Sequence, residues 1–574
     1  MINLIIDGIK TSVPDGSTIL QAAQKVGIHI PTLCAHPDRN VKSNCRICVC
    51  EVEGSKLLQT ACSQPVFEGM VVKTRSPKVI EARRIILELI LSNHPQDCLN
   101  CIRNVNCELQ HLAKEYCIRE NPFKLKTKGL PKDYSTPAIF RDPNKCVLCR
   151  RCVETCTIIQ GVGALGLENR GYHTMIVPSM GKNLGDSPCV MCGQCIHACP
   201  VGAIGEVEYI DELMEAIADP DTIVVTQIAP AVRVAIGEEV GMKTGEMPMN
   251  KLVAALRQIG FDYVLHTNFT ADLTIMEEGH ELLQRLTTGG ILPMFTSCSP
   301  GWINFCETYY PDLLDNLSTC KSPQQMFGAL LKTYWADKMN IDAKKIFSVS
   351  IMPCTAKKYE AFRPEMNASG YQDVDIVLTT RELGRLLRLC EIDFDKVEPS
   401  EFDPWMGDYT GAAVIFGASG GVMEAALRTV YEVVTQEELK DVNFTETRGF
   451  QGIKEAEVDL NGTVVKVAIA NGLSNARKLM DQVRAGESPY HFIEIMACPG
   501  GCIGGGGQPI TRSNIKREER IANIYIEDEQ CAIRKSHENP EIKMIYEEFL
   551  HEPLGHKSHE LLHTHYHAKN KRLI

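Results

Sequence analysis

The sequence predicts small α+β modules at the front of the chain and one large α/β domain behind them. Three observations predict it. Most of the 25 cysteines fall before residue 200, in short groups with metal-ligand spacing. From about residue 210 the texture changes to alternating apolar runs and amphipathic runs, the signature of strands and helices in layers. At 574 residues the chain exceeds what one core holds, so several domains are expected.

Composition narrows the function classes. Hydrophobic residues at 44% and charged residues at 23% suit a soluble globular protein. A net charge of −12 argues against nucleic acid as a partner, because phosphate binding needs a basic surface. No basic-then-apolar leader precedes Ile5, and the apolar stretch "TIVVTQIAPAVRVAI" (222–236) is too short to span a bilayer. The expectation is a cytoplasmic protein without a membrane partner. In that reducing compartment clustered cysteines point to metal rather than disulfides.

Residues 1–78 open with a strand, a turn, a strand through "KTSV" and an amphipathic helix. Cys34, Cys45, Cys48 and Cys62 follow as C-x10-C-x2-C-x13-C. Four soft thiolates on a long loop and a closing strand suit a 2Fe–2S cluster. Cys50 is left over and reads as a buried thiol. Residues 79–122 begin with a helical run and continue into His94, Cys98, Cys101 and Cys107, spaced H-x3-C-x2-C-x5-C. One imidazole and three thiolates hold either a 4Fe–4S cluster or zinc, and the spacing allows both. Cys117 reads as a packing residue. A lysine- and proline-containing stretch (123–136) reads as a linker.

Residues 137–209 repeat C-x2-C-x2-C-x3-C at Cys146, Cys149, Cys152, Cys156 and at Cys189, Cys192, Cys195, Cys199. This is the two-cluster ferredoxin spacing, in which the fourth cysteine of each run serves the other run's cluster. One 4Fe–4S cluster would then take Cys146, Cys149, Cys152 and Cys199. The other would take Cys189, Cys192, Cys195 and Cys156.

Behind them, residues 210–574 alternate strand and helix, and in such sheets ligands gather at the carboxyl ends of strands. Three apolar runs end in a cysteine beside proline or glycine: "FTSCSPGW" (295–302), "IMPCTAKKYE" (351–360) and "EIMACPGGCIGGGGQP" (494–509). Glycine there permits close backbone approach to a compact ligand.

These loops resemble the three signature loops of iron-only (FeFe) hydrogenases. The resemblance covers essentially the whole chain, whose front end is similar to the iron–sulfur subunit of respiratory complex I. The order of domains also resembles the catalytic subunit of NADH-linked, electron-bifurcating hydrogenases. The resemblance implies ferredoxin-like iron–sulfur modules followed by a catalytic domain carrying an H-cluster, a 4Fe–4S cubane joined to a two-iron centre with CO, CN and azadithiolate ligands. It implies the reaction 2H⁺ + 2e⁻ = H₂, with one 2Fe–2S and three accessory 4Fe–4S clusters. The implied electron partners are ferredoxin and/or NADH-oxidising flavin iron–sulfur subunits.

By the same resemblance the cubane positions are Ser299, Cys354, Cys498 and Cys502, with Cys502 bridging to the two-iron centre. Lys357 matches a lysine that hydrogen-bonds cyanide, and Ala229, Pro230, Gln324, Met352, Phe416 and Met496 match other pocket positions. A proton relay falls on Cys298, Glu278, Ser318, Glu281 and Arg285. Ser299 departs from the family's cysteine, since a hydroxyl is a harder and less readily ionised ligand. Three outcomes follow from it: serine ligates through oxygen, Cys298 takes over as ligand, or the cubane is damaged. The alternative function is a non-catalytic iron–sulfur electron-transfer subunit. The histidine-rich tail (551–567) reads as a docking helix rather than a metal tract. Cys306, Cys320, Cys390 and Cys531 read as packing residues.

Overall fold

The computed structural model describes residues 1–36, 40–124, 126, 128–178, 181–450, 452–511 and 513–569. Within the linker at 123–136, residues 125 and 127 lie outside the described set.

Strands Ile2–Ile6 (β1) and Ile9–Val13 (β2) pair antiparallel around Asp7 and Gly8, both at positive φ, as a tight Asp-Gly hairpin requires. The helix Ile19–Lys25 starts at a Thr18–Gln21 capping box. Val49–Val52 (β3), Gln59–Thr60 (β4) and Met70–Lys73 (β5) complete a sheet of order β2-β1-β5-β3-β4. Cys50 is fully buried in it, as expected. Cys117 is not: it is exposed at φ 53, because the helix Glu108–Glu115 has already ended and the chain turns outward there. Beyond the linker, Ile139–Arg141 (β6) pairs with Ile204–Glu206 (β9), and Gly166–Glu168 (β7) with Met175–Val177 (β8).

The rear domain holds two four-stranded sheets. Ile223–Ile228 (β10), Tyr263–His266 (β11), Ile346–Met352 (β13) and Ile376–Thr379 (β14) are all parallel, in the order β11-β10-β13-β14. Met294–Phe295 (β12), Ile453–Leu460 (β15), Thr463–Asn471 (β16) and Phe492–Met496 (β17) form β12-β17-β16-β15. β12 is short because Pro293 has no N–H for the ladder and the chain turns toward Pro300 after it. Ala229, Cys298, Cys354 and Cys498 each follow the carboxyl end of a strand, from both sheets. The two sheets therefore aim their loops at one place.

The glycine-rich loop joins front to rear. A Cβ on Gly506 would lie 2.3 Å from the Cys192 carbonyl oxygen. Arg381 donates to Glu206 Oε2 on β9 at 2.7 Å and to the carbonyls of Gly506 and Gln508 at 2.7 and 2.6 Å. Gly506→Ala is expected to lose about 1–3 kcal/mol of stability by overpacking, read as a lower denaturation midpoint. No helix among the described residues is long and apolar enough to cross a membrane.

Candidate metal centres and catalytic pocket

The front cysteines converge in sets. Cys34 shares a hydrogen bond with Cys45, and Cys48 with Cys62, which holds Cys34 and Cys62 down at about 6. Ser43 Oγ lies 3.7 Å from Cys62 Sγ. Cys146, Cys149, Cys152 and Cys199 line one cavity of about 420 Å³, and Cys156, Cys189, Cys192 and Cys195 line another of about 430 Å³. The fourth cysteine of each run has crossed to the other's cavity. Burial pushes Cys152 and Cys195 well up. Thiols so buried become thiolates only beside a cation, which is what an iron–sulfur cluster supplies.

His94 is buried with Nδ1 free of any partner, as a ligand nitrogen would be. Cys107 is raised by burial first, with Cys101 close enough to add to it.

In the rear domain Cys298, Cys354, Cys502, Ala229, Pro230, Gln324, Met352, Lys357, Phe416 and Met496 all line one cavity of about 540 Å³. Its wall is mostly apolar, with one ammonium. Lys357 Nζ donates to Glu360 Oε2 at 2.8 Å and to the Cys298 carbonyl at 3.2 Å. The Gln324 amide donates to Glu360 Oε2 at 3.1 Å, while its own oxygen has no partner. An orphaned amide oxygen and an ammonium in a dry wall fit a compact group with polar edges. Cys498 lies off this cavity. Burial pushes its thiol well up, and Cys354, Cys192 and Cys502 add to the effect, so it stands between the pocket and the second ferredoxin cavity. Ser299 is also off the cavity, at the N-cap of the helix Pro300–Tyr309, with no capping bond from its hydroxyl.

The five relay positions lie in one network. Glu278, Glu281 and Arg285 share one face of the helix Asn268–Thr288. Burial first and Glu281 second push Glu278 up to about 8. Burial and then Glu278 push the Cys298 thiol well up. The Ser318 hydroxyl donates to Glu281 Oε2 at 2.8 Å, and Arg285 Nη2 donates to Glu281 Oε1 at 2.7 Å. Arg285 thus holds Glu281 in place.

Sequence reasoning missed several neighbours. The Thr319 amide donates to Glu281 Oε2 at 3.0 Å, and its hydroxyl sits 2.7 Å from His563 Nδ1. His563 Nε2 lies 3.1 Å from Glu277, which also accepts from Tyr546 at 2.6 Å. His563, the residue that follows the tail helix His556–Leu562, thus docks behind these groups. Cys320, read as a packing residue, is buried with its thiol 3.8 Å from Glu281 Oε2. The separation of these partners along the chain leaves no local pattern to find; only the "HELLH" of the tail hinted at them.

Grouped thiols leading to a dry cavity lined by cysteine define an iron–sulfur redox enzyme. The iron-only hydrogenase large subunit, C-terminal domain, matches residues 222–506, and the iron hydrogenase small subunit matches 514–569. A 2Fe-2S iron-sulfur cluster binding domain matches 1–77. The NADH-ubiquinone oxidoreductase-G iron-sulfur binding region matches 83–122, and the ferredoxin-like domain of NADH-quinone oxidoreductase subunit 3 matches 136–205. The chain is 50% identical to the NADP-reducing hydrogenase subunit HndD of Solidesulfovibrio fructosivorans over 100% of both chains. It is 42% identical to iron hydrogenase 1 of Clostridium pasteurianum over 99% of this chain and 100% of that one. A variant of FeFe hydrogenase HydA1 from Chlamydomonas reinhardtii aligns with TM-score 0.57 and 44% identity, covering 63% of this chain and 99% of that one. The chain belongs to the iron-only hydrogenase family, whose reaction is hydrogen oxidation and proton reduction.

Proposed function

We propose that electrons pass between an external partner and the rear pocket through one 2Fe–2S and three accessory 4Fe–4S clusters, and that protons pass separately along Cys298, Glu278, Ser318 and Glu281. The observation that carries this reading is the alignment of cavities. The cavity of Cys156, Cys189, Cys192 and Cys195 abuts the glycine-rich loop, where Gln194 donates to the Gly504 carbonyl at 2.8 Å and His197 Nε2 lies 2.9 Å from the Gly505 oxygen. Cys354, Cys498, Cys502 and Ser299 would hold the cubane beside it. When bound, the H-cluster would supply the redox chemistry that interconverts protons, electrons and H₂.

The protein's own share is positioning. Lys357 directs a charge-assisted donor into the pocket, suited to an anionic diatomic ligand. Phe416, Met352, Met496, Ala229 and Pro230 exclude water. Glu278, kept protonated near neutral pH, serves as the acid behind Cys298. The NADP-reducing relative and the complex I-like front support a nicotinamide-oxidising flavin subunit as electron partner, with ferredoxin as an additional one. All 25 cysteines are free, which suits the reducing cytoplasm.

The test is iron counting, infrared spectroscopy and hydrogen assay on one preparation of holoprotein. Carbonyl and cyanide bands together with H₂ turnover are expected. Iron in the front clusters without those bands would support the second reading, an electron-transfer subunit, for which Ser299 is the specific observation. Zinc in place of iron would end both.

A further inference from the structure

We propose that two buried arginines, Arg151 and Arg103, set the reduction potentials of the front clusters, and that Arg151 is shared by two of them. The inference rests on the ligand sets of the proposed function. Arg151 is 1% exposed and Arg103 6% exposed. Nε and Nη2 of Arg151, and Nε and Nη1 of Arg103, donate to nothing. A buried guanidinium N–H without an acceptor is expensive to keep, so four such groups at two side chains call for acceptors at those places.

The surroundings identify the acceptors. Arg151 precedes Cys152, and its Nη1 donates to Glu108 Oε1 at 2.9 Å and Oε2 at 3.1 Å. Glu108 follows Cys107 and shares a cavity wall with Thr32, two residues from Cys34. An ion pair of Lys42 with Glu154 clamps the loop of Cys45 onto the helix Arg151–Glu154. Leu33 and Ile47, beside Cys34 and Cys48, share one buried cluster with Cys152 and Cys199. Arg151 therefore stands where the 2Fe–2S set meets the Cys146, Cys149, Cys152 and Cys199 set. The thiols of Cys149, Cys45 and Cys34 act on its charge in that order.

Arg103 stands at a second joint. A Cβ on Gly202 would lie 2.5 Å from Cys101 Sγ and 3.6 Å from Arg103 Cγ. The Glu108 amide donates to the Pro200 carbonyl at 3.0 Å, which docks this module against Cys199. Donors aimed at cluster sulfur and a fixed positive charge both favour the reduced, more negative state of a cluster. The Cys146 set lies between both arginines, so it would be the easiest of the front clusters to reduce.

The test is a redox titration of the holoprotein followed by electron paramagnetic resonance. Arg151→Gln is expected to shift both the 2Fe–2S signal and the signal of the Cys146 set to more negative potential. Arg103→Gln should shift the Cys146 set and the His94 set and leave 2Fe–2S in place. Glu108→Gln removes a negative charge and should move the same signals the opposite way, which a merely loosened fold would not do. Arg75→Gln, 69% exposed at its side chain, is the surface control. Unchanged midpoints in Arg151→Gln with full iron content, or shifts of one sign in both Arg151→Gln and Glu108→Gln, would overturn the proposal. Absence of a 2Fe–2S signal from the unsubstituted protein would instead overturn the ligand sets.

Discussion

Cys298→Ala and Glu278→Gln are each expected to lower hydrogen production about 10²–10⁴-fold, the range a positioned acid–base group commands. Iron content and the infrared bands of carbonyl and cyanide should stay in place. The effect is large because both groups stand at the pocket end of the proposed path. Cys298 is the one relay group on the cavity wall, and Glu278 is the carboxyl whose charge acts on it most strongly. Glu278 Oε1 accepts from the Ser297 amide at 3.3 Å, while Oε2 is left without a partner. Glutamine keeps the shape and removes the exchangeable proton, so a rate loss without loss of fold isolates proton transfer.

The same carboxyl gives a pH signature. Its value is raised from 4.5 to about 8 by burial and then by Glu281. Below about 8 it carries the proton that the proposed relay would pass to Cys298, and above that it is ionised beside Glu281. Hydrogen production at fixed driving force should therefore fall as pH rises through about 8. The stability linkage has the same direction. A raised carboxyl leaves its contribution fully present below 4.5 and removes it as pH rises through about 8. Glu278→Gln should flatten stability against pH in that window, measured by denaturant titration at several pH values.

The front of the chain was legible because metal ligation is local and discrete. Cys146 to Cys156 and Cys189 to Cys199 announce themselves by spacing, and even their crossing follows from that spacing, with the structure gathering each set in its own cavity. The His94 set was equally visible as a motif. The rear pocket was different. Met352, Phe416 and Ala229 are ordinary apolar residues at strand ends and helix starts, and no periodicity separates them from core. Only resemblance to a family pointed to them, and the structure brings them to one wall. His563, Thr319 and Glu277 were hidden for a further reason. Their partnership spans more than two hundred residues, and a buried histidine paired with a glutamate leaves no pattern in the chain. Cys117 failed in the opposite sense, since nothing at the cysteine itself gives warning that its helix stops just before it.

Ser299→Cys should raise iron retained in the rear domain and increase hydrogen turnover at least about tenfold. The reasoning starts from the helix it begins. A serine at an N-cap ordinarily accepts from an amide of the first turn. Here the Ser299 hydroxyl makes no such bond, while its carbonyl accepts from the Trp302 and Ile303 amides. Exchange for cysteine therefore forfeits no cap. Cys298 lines the cavity, with Glu278 acting on its thiol and Lys357 holding its carbonyl, which favours a role for it other than ligand. In the proposed ligand set of Cys354, Cys498 and Cys502, the fourth corner of a cubane would fall to the Ser299 oxygen, a harder donor for which iron has less affinity. Loss of a group that merely orients a metal ligand costs about 10–100-fold in affinity or activity, and a direct ligand should matter no less. Ser299→Ala separates oxygen ligation from a damaged corner: it lowers iron content further if the hydroxyl binds and changes nothing if it does not. Equal hydrogen production and equal iron in the unsubstituted protein and Ser299→Cys would show that the hydroxyl serves the cubane as well as sulfur does.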